Sequence, residues 1–273
     1  AVSPETSIKI GDTLSQKNID GILIDLRNNG GGSLQEAIDL TGLFIDSGPV
    51  VQVKSSSGGV DIEKDYDKVI HYDGPLFVLN NSFTASSSEI FSGAIQDYNR
   101  GLVLGESTFG KGTVQNLIGL DRFFRNTDKE SFGQLKITLA KYYRISGSST
   151  QKIGVKPDIE FPNSFDREFY TENSRKNALK WDEIDRLEFS NKLQITSNNI
   201  EELNQIFDDR LKNDNAIKKY LSNIDEIKKN REKKIISLNL KQRLNEKKES
   251  DDKQDNLNVS INYTEIFPLE NNL

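Results

Sequence analysis

The distribution of glycine and of short apolar runs divides the sequence near residue 165. Before that point, strand-like apolar runs at 22–24, 76–79 and 102–104 alternate with helical stretches and glycine-rich turns. After it, glycine is absent and apolar residues recur at helical spacing among many charges. Alternation of strands and helices is typical of an α/β protein. We therefore predict an α/β fold, a mixed sheet with flanking helices, over residues 1–165, and a helical C-terminal region over residues 166–273.

Composition excludes several classes of protein. The 273 residues contain no Cys and one His, which excludes disulfides, thiolate nucleophiles and metal sites with Cys ligands or two imidazoles. The net charge is −6, whereas a nucleic-acid-binding protein carries a basic surface. No apolar run approaches the roughly 18 residues that a transmembrane helix needs. Because the sequence begins Ala-Val-Ser and lacks Met, we expect it to be a piece of a longer product.

One glycine-rich turn is similar to a phosphate-binding loop. The sequence from Gly105 to Lys111 satisfies the first seven positions of G-x-x-x-x-G-K-[ST], but Gly112 replaces the hydroxyl residue that would hold Mg²⁺. Residues 113–118 then have a strand pattern, whereas a phosphate loop must begin a helix. Nucleotide binding is therefore a disfavoured alternative.

A serine-rich turn over residues 81–88 joins a predicted strand to a predicted helix. A serine at such a junction lies beside unpaired helix N–H groups, which stabilise the negative charge that develops in acyl transfer. The competing interpretation is a simple N-cap. A nucleophilic serine also needs a base. The two candidates are His71 and Lys111, the latter only if burial keeps its amine neutral.

Three motifs resemble the tail-specific proteases, also called C-terminal processing peptidases, which are Ser-Lys proteases. They are Asp-Leu-Arg-Asn-Asn-Gly-Gly-Gly at 25–32, Thr-Ala-Ser-Ser-Ser-Glu-Ile at 84–90, and Gly-Glu-Ser-Thr-Phe-Gly-Lys-Gly-Thr-Val-Gln at 105–115. The spacing of 25 positions between Ser86 and Lys111 also agrees with this family. Residues 181–185 and 237–239 resemble its long Gram-negative periplasmic form.

The resemblance implies a catalytic role for three side chains. Ser86 would be the nucleophile and Lys111 its general base. Gln115, four residues after the lysine, would hold the lysine amine in place. No metal and no other cofactor is implied.

The resemblance also implies how the rest of the site is built. The backbone N–H groups of Gly32 and Ser87 would form the oxyanion hole. Glu89 and Asp97 match positions linked to activity in relatives and would support the site. Ser87 stands where relatives often have Ala, and since only its N–H is needed, we expect this difference to matter little.

The function implied by the resemblance is endopeptidase cleavage through an acyl-enzyme on Ser86. The substrates would be unfolded or tagged proteins with apolar C-termini, with an adaptor lipoprotein as a further partner. The location would be the periplasm, at the periplasmic face of the inner membrane. Family members carry an upstream PDZ domain that captures the substrate C-terminus, and this sequence does not contain it. The alternatives are a non-catalytic peptide-binding scaffold of the same fold and the nucleotide-binding module.

Overall fold

The computed structural model describes residues 10–11, 19–123, 132–163, 166–190, 195–232, 235 and 237–255. The chain forms two compact units. The first consists of Ala1–Phe161 and Phe165–Gln205, and the second consists of Pro162–Ser164 and Ile206–Leu273. In the described part of the chain, no helix is long and apolar enough to cross a membrane.

The first unit alternates strands and helices. In chain order its elements are β1 (Ile22–Asp25), α1 (Leu34–Gly42), β2 (Gly48–Ser55), β3 (Val60–Asp65), β4 (Leu76–Asn80), α2 (Ser87–Asp97), β5 (Leu102–Gly105), β6 (Thr113–Gly119), β7 (Gln134–Tyr143), β8 (Ile159–Glu160) and the short helix α3 (Arg167–Tyr170). The α/β prediction is confirmed, but the strands form two sheets rather than one mixed sheet. The first is parallel, in the order β1-β4-β5-β8, and the second is antiparallel, in the order β3-β2-β7-β6.

Helices α1 and α2 supply apolar side chains to two core clusters. Leu40 of α1 and Phe91 of α2 pack with Val78 and Val103 of the parallel sheet. Other residues of the same helices, Ala37, Ile38, Ile90 and Ala94, pack with Val50 and Val51 of β2 and with Tyr142 of β7. Burial of this apolar surface is the main favourable contribution to folding. It holds α2, which follows the serine-rich turn, against both sheets.

The capping residues show why the helices begin where they do. The Ser33 side chain accepts a hydrogen bond from the Glu36 N–H at 3.4 Å and is the N-cap of α1. Helix α2 begins at Ser87, within the serine-rich turn over residues 81–88. The helical C-terminal region is also confirmed, with α4 (Ser197–Asn213), α5 (Asn215–Glu232) and α6 (Leu240–Asp255).

The parallel sheet determines where the three motifs meet. Asp25 of β1 is opposite Leu79 of β4, and Asn80 of β4 is opposite Gly105 of β5. Each motif follows, or begins at, the last residue of one of these neighbouring strands. Because parallel strands end at the same edge of a sheet, the three turns lie side by side there, where open α/β sheets commonly bind ligands.

Candidate active site

Backbone and side-chain hydrogen bonds join the three turns. The Ala85 N–H donates to the Asn29 carbonyl at 2.9 Å, and the Phe109 N–H donates to the Thr84 carbonyl at 2.8 Å. The Thr84 hydroxyl donates to the Leu26 carbonyl at 2.8 Å. The serine-rich turn is therefore bonded to both glycine-rich turns.

Ser86 lies at the sharp bend between the serine-rich turn and α2. Its φ is 60° and its ψ is −122°, a conformation that non-glycine residues rarely adopt. Ser86 is partly exposed, whereas Ser82, Ser87 and Ser88 are 1%, 2% and 0% exposed. Ser82 also donates its hydroxyl hydrogen to Glu106. Of the four serines, Ser86 is thus the one that a substrate can reach without rearrangement.

The Glu89 carboxylate connects the serine-rich turn to the turn between β5 and β6 that carries Lys111, residues 106–112, which we call the lysine turn. Its Oε2 accepts the Ser86 N–H at 2.8 Å and the Lys111 N–H at 2.9 Å. Its Oε1 accepts the Thr108 hydroxyl at 2.6 Å and the Gly110 N–H at 2.7 Å. One fully buried side chain therefore fixes the backbone positions of Ser86 and Lys111 relative to each other.

Burial and hydrogen bonding act on Glu89 in opposite directions. Burial raises the pKa of Glu89, and the four donors lower it because they favour the ionised carboxylate. Burial is the larger effect, and the resulting pKa is about 7. A proton on either oxygen would face a donor instead of an acceptor. Tyr142 adds to the same connection, since the one hydrogen of its buried hydroxyl is shared between the carbonyls of Lys111 and Ser86, the latter at 3.2 Å.

Glu89→Gln tests this connection. The glutamine oxygen can replace one carboxylate oxygen, but its NH₂ group then faces two other donors. Each buried donor left without an acceptor costs about 1–3 kcal/mol, and a shift of about 1 Å in a catalytic group costs on the order of 10²-fold in rate. We expect both a lower free energy of unfolding, measured by denaturant titration, and a loss of catalytic rate of that order.

Glu106→Gln is the matched control for that variant. Only Oε2 of Glu106 accepts the N–H and hydroxyl of Ser82, so the glutamine oxygen can accept both. We expect this variant to retain its stability and rate. A Glu89→Gln protein as stable and active as the Glu106→Gln protein would contradict the connecting role of Glu89.

Lys111 lies on a tight turn between β5 and β6. A Cβ at Gly110, whose φ is +89°, would lie 2.7 Å from the Lys152 backbone, so the close approach of the two segments requires glycine there. Burial lowers the pKa of Lys111, which is the direction that a lysine acting as a neutral base needs. The positive charges of Lys136 and Arg175 also lower this pKa. Within the described residues, the Lys111 side chain makes no hydrogen bond and no ion pair.

The first glycine-rich turn lies directly against Ser86. A Cβ at Gly31 would lie 2.8 Å from the Ser86 Cβ and 2.9 Å from the Ser87 nitrogen. The Gly32 N–H also points at the start of α2. It is not available to a substrate oxyanion, because it donates to the Ser87 hydroxyl at 2.6 Å. The Ser87 side chain, which we expected to matter little, therefore takes up one of the two expected oxyanion donors.

Two of the expected site residues, among those that the structure describes, make no hydrogen bond with this cluster. Gln115 is exposed on β6, and its side chain makes no hydrogen bond with a described residue, so its role remains a prediction. Asp97 lies at the far end of α2, about 15 Å along the helix from Ser87. Its carboxylate pairs with Arg144, at 2.5 Å, and accepts the Ser146 hydroxyl at 3.3 Å. It thus joins the end of α2 to the segment that follows β7.

The alternative base, His71, lies away from the cluster. It is exposed and precedes β4, whereas Ser86 follows the other end of that strand. The backbone N–H of His71 donates to the carbonyl of Leu43, the residue after α1, at 2.9 Å. Among the described residues, no group of three or more His, Asp and Glu side chains is arranged to hold a metal ion.

The sequence matches a family of peptidases. Residues 4–161, more than half of the chain, match Peptidase family S41, and the chain belongs to this family. Residues 165–273 match the C-terminal domain of tail specific protease (DUF3340). The resemblance to the tail-specific proteases is thereby confirmed.

Individual relatives agree with this assignment. The tail-specific protease of Haemophilus influenzae is 39% identical over 244 residues, which are 89% of this chain and 34% of that protein. The chloroplastic C-terminal processing peptidase of Tetradesmus obliquus is 36% identical over 147 residues, which are 54% of this chain and 30% of that protein. The solved photosystem II D1 C-terminal processing protease matches with a TM-score of 0.51 at 31% identity, over 63% of this chain and 43% of that protein. The chain spans about a third of the length of the curated relatives it matches.

Proposed function

We propose that this chain carries the catalytic site of a serine endopeptidase in which Ser86 is the nucleophile and Lys111 the general base. The observation that carries the proposal is the Glu89 Oε2 atom, which accepts the backbone N–H groups of both residues. The partial exposure of Ser86 and the lowered pKa of Lys111 support it. Nucleophile, base and a buried group that orients both are the parts that covalent catalysis by serine needs.

The proposed reaction has two stages. In the first, the neutral Lys111 amine takes the Ser86 hydroxyl proton while Oγ attacks the substrate carbonyl carbon. The N–H groups of Ser87 and Gly32 hold the oxyanion, and the ammonium then protonates the leaving amine as the peptide C–N bond breaks. In the second stage, the amine takes a proton from water as the water oxygen attacks the acyl ester, and the ammonium then returns that proton to the Ser86 Oγ as the ester C–O bond breaks. Gln115 is proposed to orient the amine.

Substrates and location belong to the same proposal. We propose unfolded or tagged proteins with apolar C-termini as substrates, an adaptor lipoprotein as a partner, and the periplasm as the location. The names of the relatives, tail-specific and C-terminal processing protease, support recognition at the C-terminus. Asp97 is proposed only to support α2.

A serine-reactive fluorophosphonate tests the catalytic proposal directly. The full-length protein is treated with the probe, and the modified residue is mapped by peptide mass spectrometry. We expect a single modification on Ser86. A folded protein that stays unmodified, or one modified at another serine, would overturn the proposal, and the first result would favour the non-catalytic scaffold.

Ser87→Ala tests the oxyanion donors. The variant keeps both N–H groups and frees that of Gly32 from the Ser87 hydroxyl. Because a neutral hydrogen bond contributes about 0.5–1.5 kcal/mol, the acylation rate is expected to rise by up to about tenfold. The measurement is the rate of probe labelling at Ser86.

Gly32→Pro is the opposing variant, because it removes the N–H itself. Loss of one oxyanion donor typically costs on the order of 10²–10³ in rate. Gly32→Ala, which keeps the N–H, is its control. Full activity in a folded Gly32→Pro protein, or a slower Ser87→Ala protein, would show that the Gly32 N–H is not a donor to the oxyanion.

A further inference from the structure

The chain returns to the lysine turn after the part that matches the peptidase family. One Arg167 N–H donates to the Ser107 carbonyl, and another donates to the Ile153 carbonyl at 3.0 Å. The Glu172 N–H donates to the Phe109 carbonyl at 3.2 Å. Arg167 and Glu172 lie beyond residue 161, where the family match ends, and both contact the segment that carries Lys111 or its neighbours.

A buried pair of side chains joins Glu172 to this turn. The Gln151 Oε1 accepts the Gly112 N–H at 2.8 Å, and the Gln151 Nε2 donates to the Glu172 Oε1 at 3.2 Å. Gln151 is 0% exposed and Glu172 is 7% exposed. Since Gly112 offers a donor, the amide oxygen of Gln151 must face it. The amide nitrogen must then face an acceptor, and Glu172 supplies one.

The lysine turn is therefore held from two directions. Glu89 accepts the N–H groups of Gly110 and Lys111, and Gln151 accepts the next one, that of Gly112. We propose that Glu172, acting through Gln151, is a positioning residue for Lys111, so that the segment after the peptidase match completes the active site. This inference rests on the proposed function, because it assigns Glu172 a task in the reaction of Lys111.

The charge of Glu172 also acts on Lys111. The charged groups around the lysine amine are Glu89 on α2, Lys136 on β7, and Glu172 and Arg175 in the turn after α3. Burial lowers the pKa of Lys111, as do Lys136 and Arg175, whereas Glu172 and Glu89 raise it. Removing the Glu172 charge therefore lowers this pKa further. The neutral amine then persists to lower pH, and the acid limb of the rate profile moves in the same direction.

Four variants separate position from charge. Glu172→Gln keeps an acceptor for Gln151 and removes the charge, and with it the ion pair that Glu172 Oε2 makes with the exposed Arg175 at 3.3 Å. Glu172→Leu removes both. Gln151→Glu sets two carboxylates against each other, and the double variant Gln151→Glu/Glu172→Gln restores the hydrogen bonds with the charge moved next to Gly112. The measurement is the rate of fluorophosphonate labelling at Ser86 of the full-length protein, as a function of pH.

The variants have distinct expected results. Glu172→Gln keeps its maximal rate and shifts its acid limb to lower pH. Glu172→Leu and Gln151→Glu lose on the order of 10²-fold in maximal rate because the lysine turn moves. The double variant recovers the rate lost in Gln151→Glu, and its acid limb lies at higher pH than that of Glu172→Gln. Glu168→Gln, an exposed change of equal charge in α3, is the control and leaves rate and profile unchanged.

Failure of this inference differs from failure of the proposed function. If the wild-type protein is not labelled at Ser86, the proposed function fails. If it is labelled, but Glu172→Gln leaves the acid limb in place and the double variant recovers no rate, then Glu172 is not a positioning residue. Both of these variants retain every hydrogen bond of the pair, so the test stands even if Glu172→Leu does not fold.

Discussion

Ser86→Ala is expected to abolish peptide cleavage and leave the fold intact. The variant removes the Oγ atom that forms the acyl bond, and loss of a serine nucleophile costs on the order of 10⁶ in turnover. The fold is retained because Glu89 accepts the backbone N–H of residue 86, which alanine keeps, and because the side chain is partly exposed. Turnover is measured by mass spectrometry on an unfolded protein substrate, and the fold by circular dichroism.

Ser88→Ala is the matched control. Ser88 lies two positions further along the same turn, but it is fully buried in the first turn of α2. Its hydroxyl cannot reach a substrate without unwinding the helix, so we expect turnover close to that of the wild-type protein. Cleavage that persists in Ser86→Ala and disappears in Ser88→Ala would assign the nucleophile to Ser88 instead.

Much of the fold could be predicted because its local signals agree with its packing. The strand over Leu76–Asn80 is strongly apolar, and the N-cap at Ser33 precedes a helix with regular apolar spacing. Strands β3 and β8 were not predicted. Val60–Asp65 is charged and largely exposed, so it carries little apolar pattern, and Ile159–Glu160 has only two residues. Their pairing depends on neighbours that are distant in sequence, which no local pattern encodes.

The candidate site could be predicted only in part. Its main residues occur in motifs, and the parallel sheet brings these motifs to one edge. The contribution of Glu172 could not be predicted, because it depends on Gln151, 21 positions earlier, and on the return of the chain after residue 161. The hydrogen bond between Gly32 and the Ser87 hydroxyl spans 55 positions, and no sequence spacing indicates it.

Lys111→Arg is expected to be as damaging as Lys111→Ala at every pH. Burial lowers the pKa of Lys111, so the fraction of neutral amine, and with it the rate, rises with pH through that pKa. A guanidinium does not deprotonate at any working pH, so the arginine variant gains no activity in alkaline buffer. The measurement is turnover against pH for both variants, with Lys156→Arg, at an exposed position, as the control that retains activity. An active Lys111→Arg protein would exclude Lys111 as the base, and loss of activity in His71→Ala would then assign that role to the histidine.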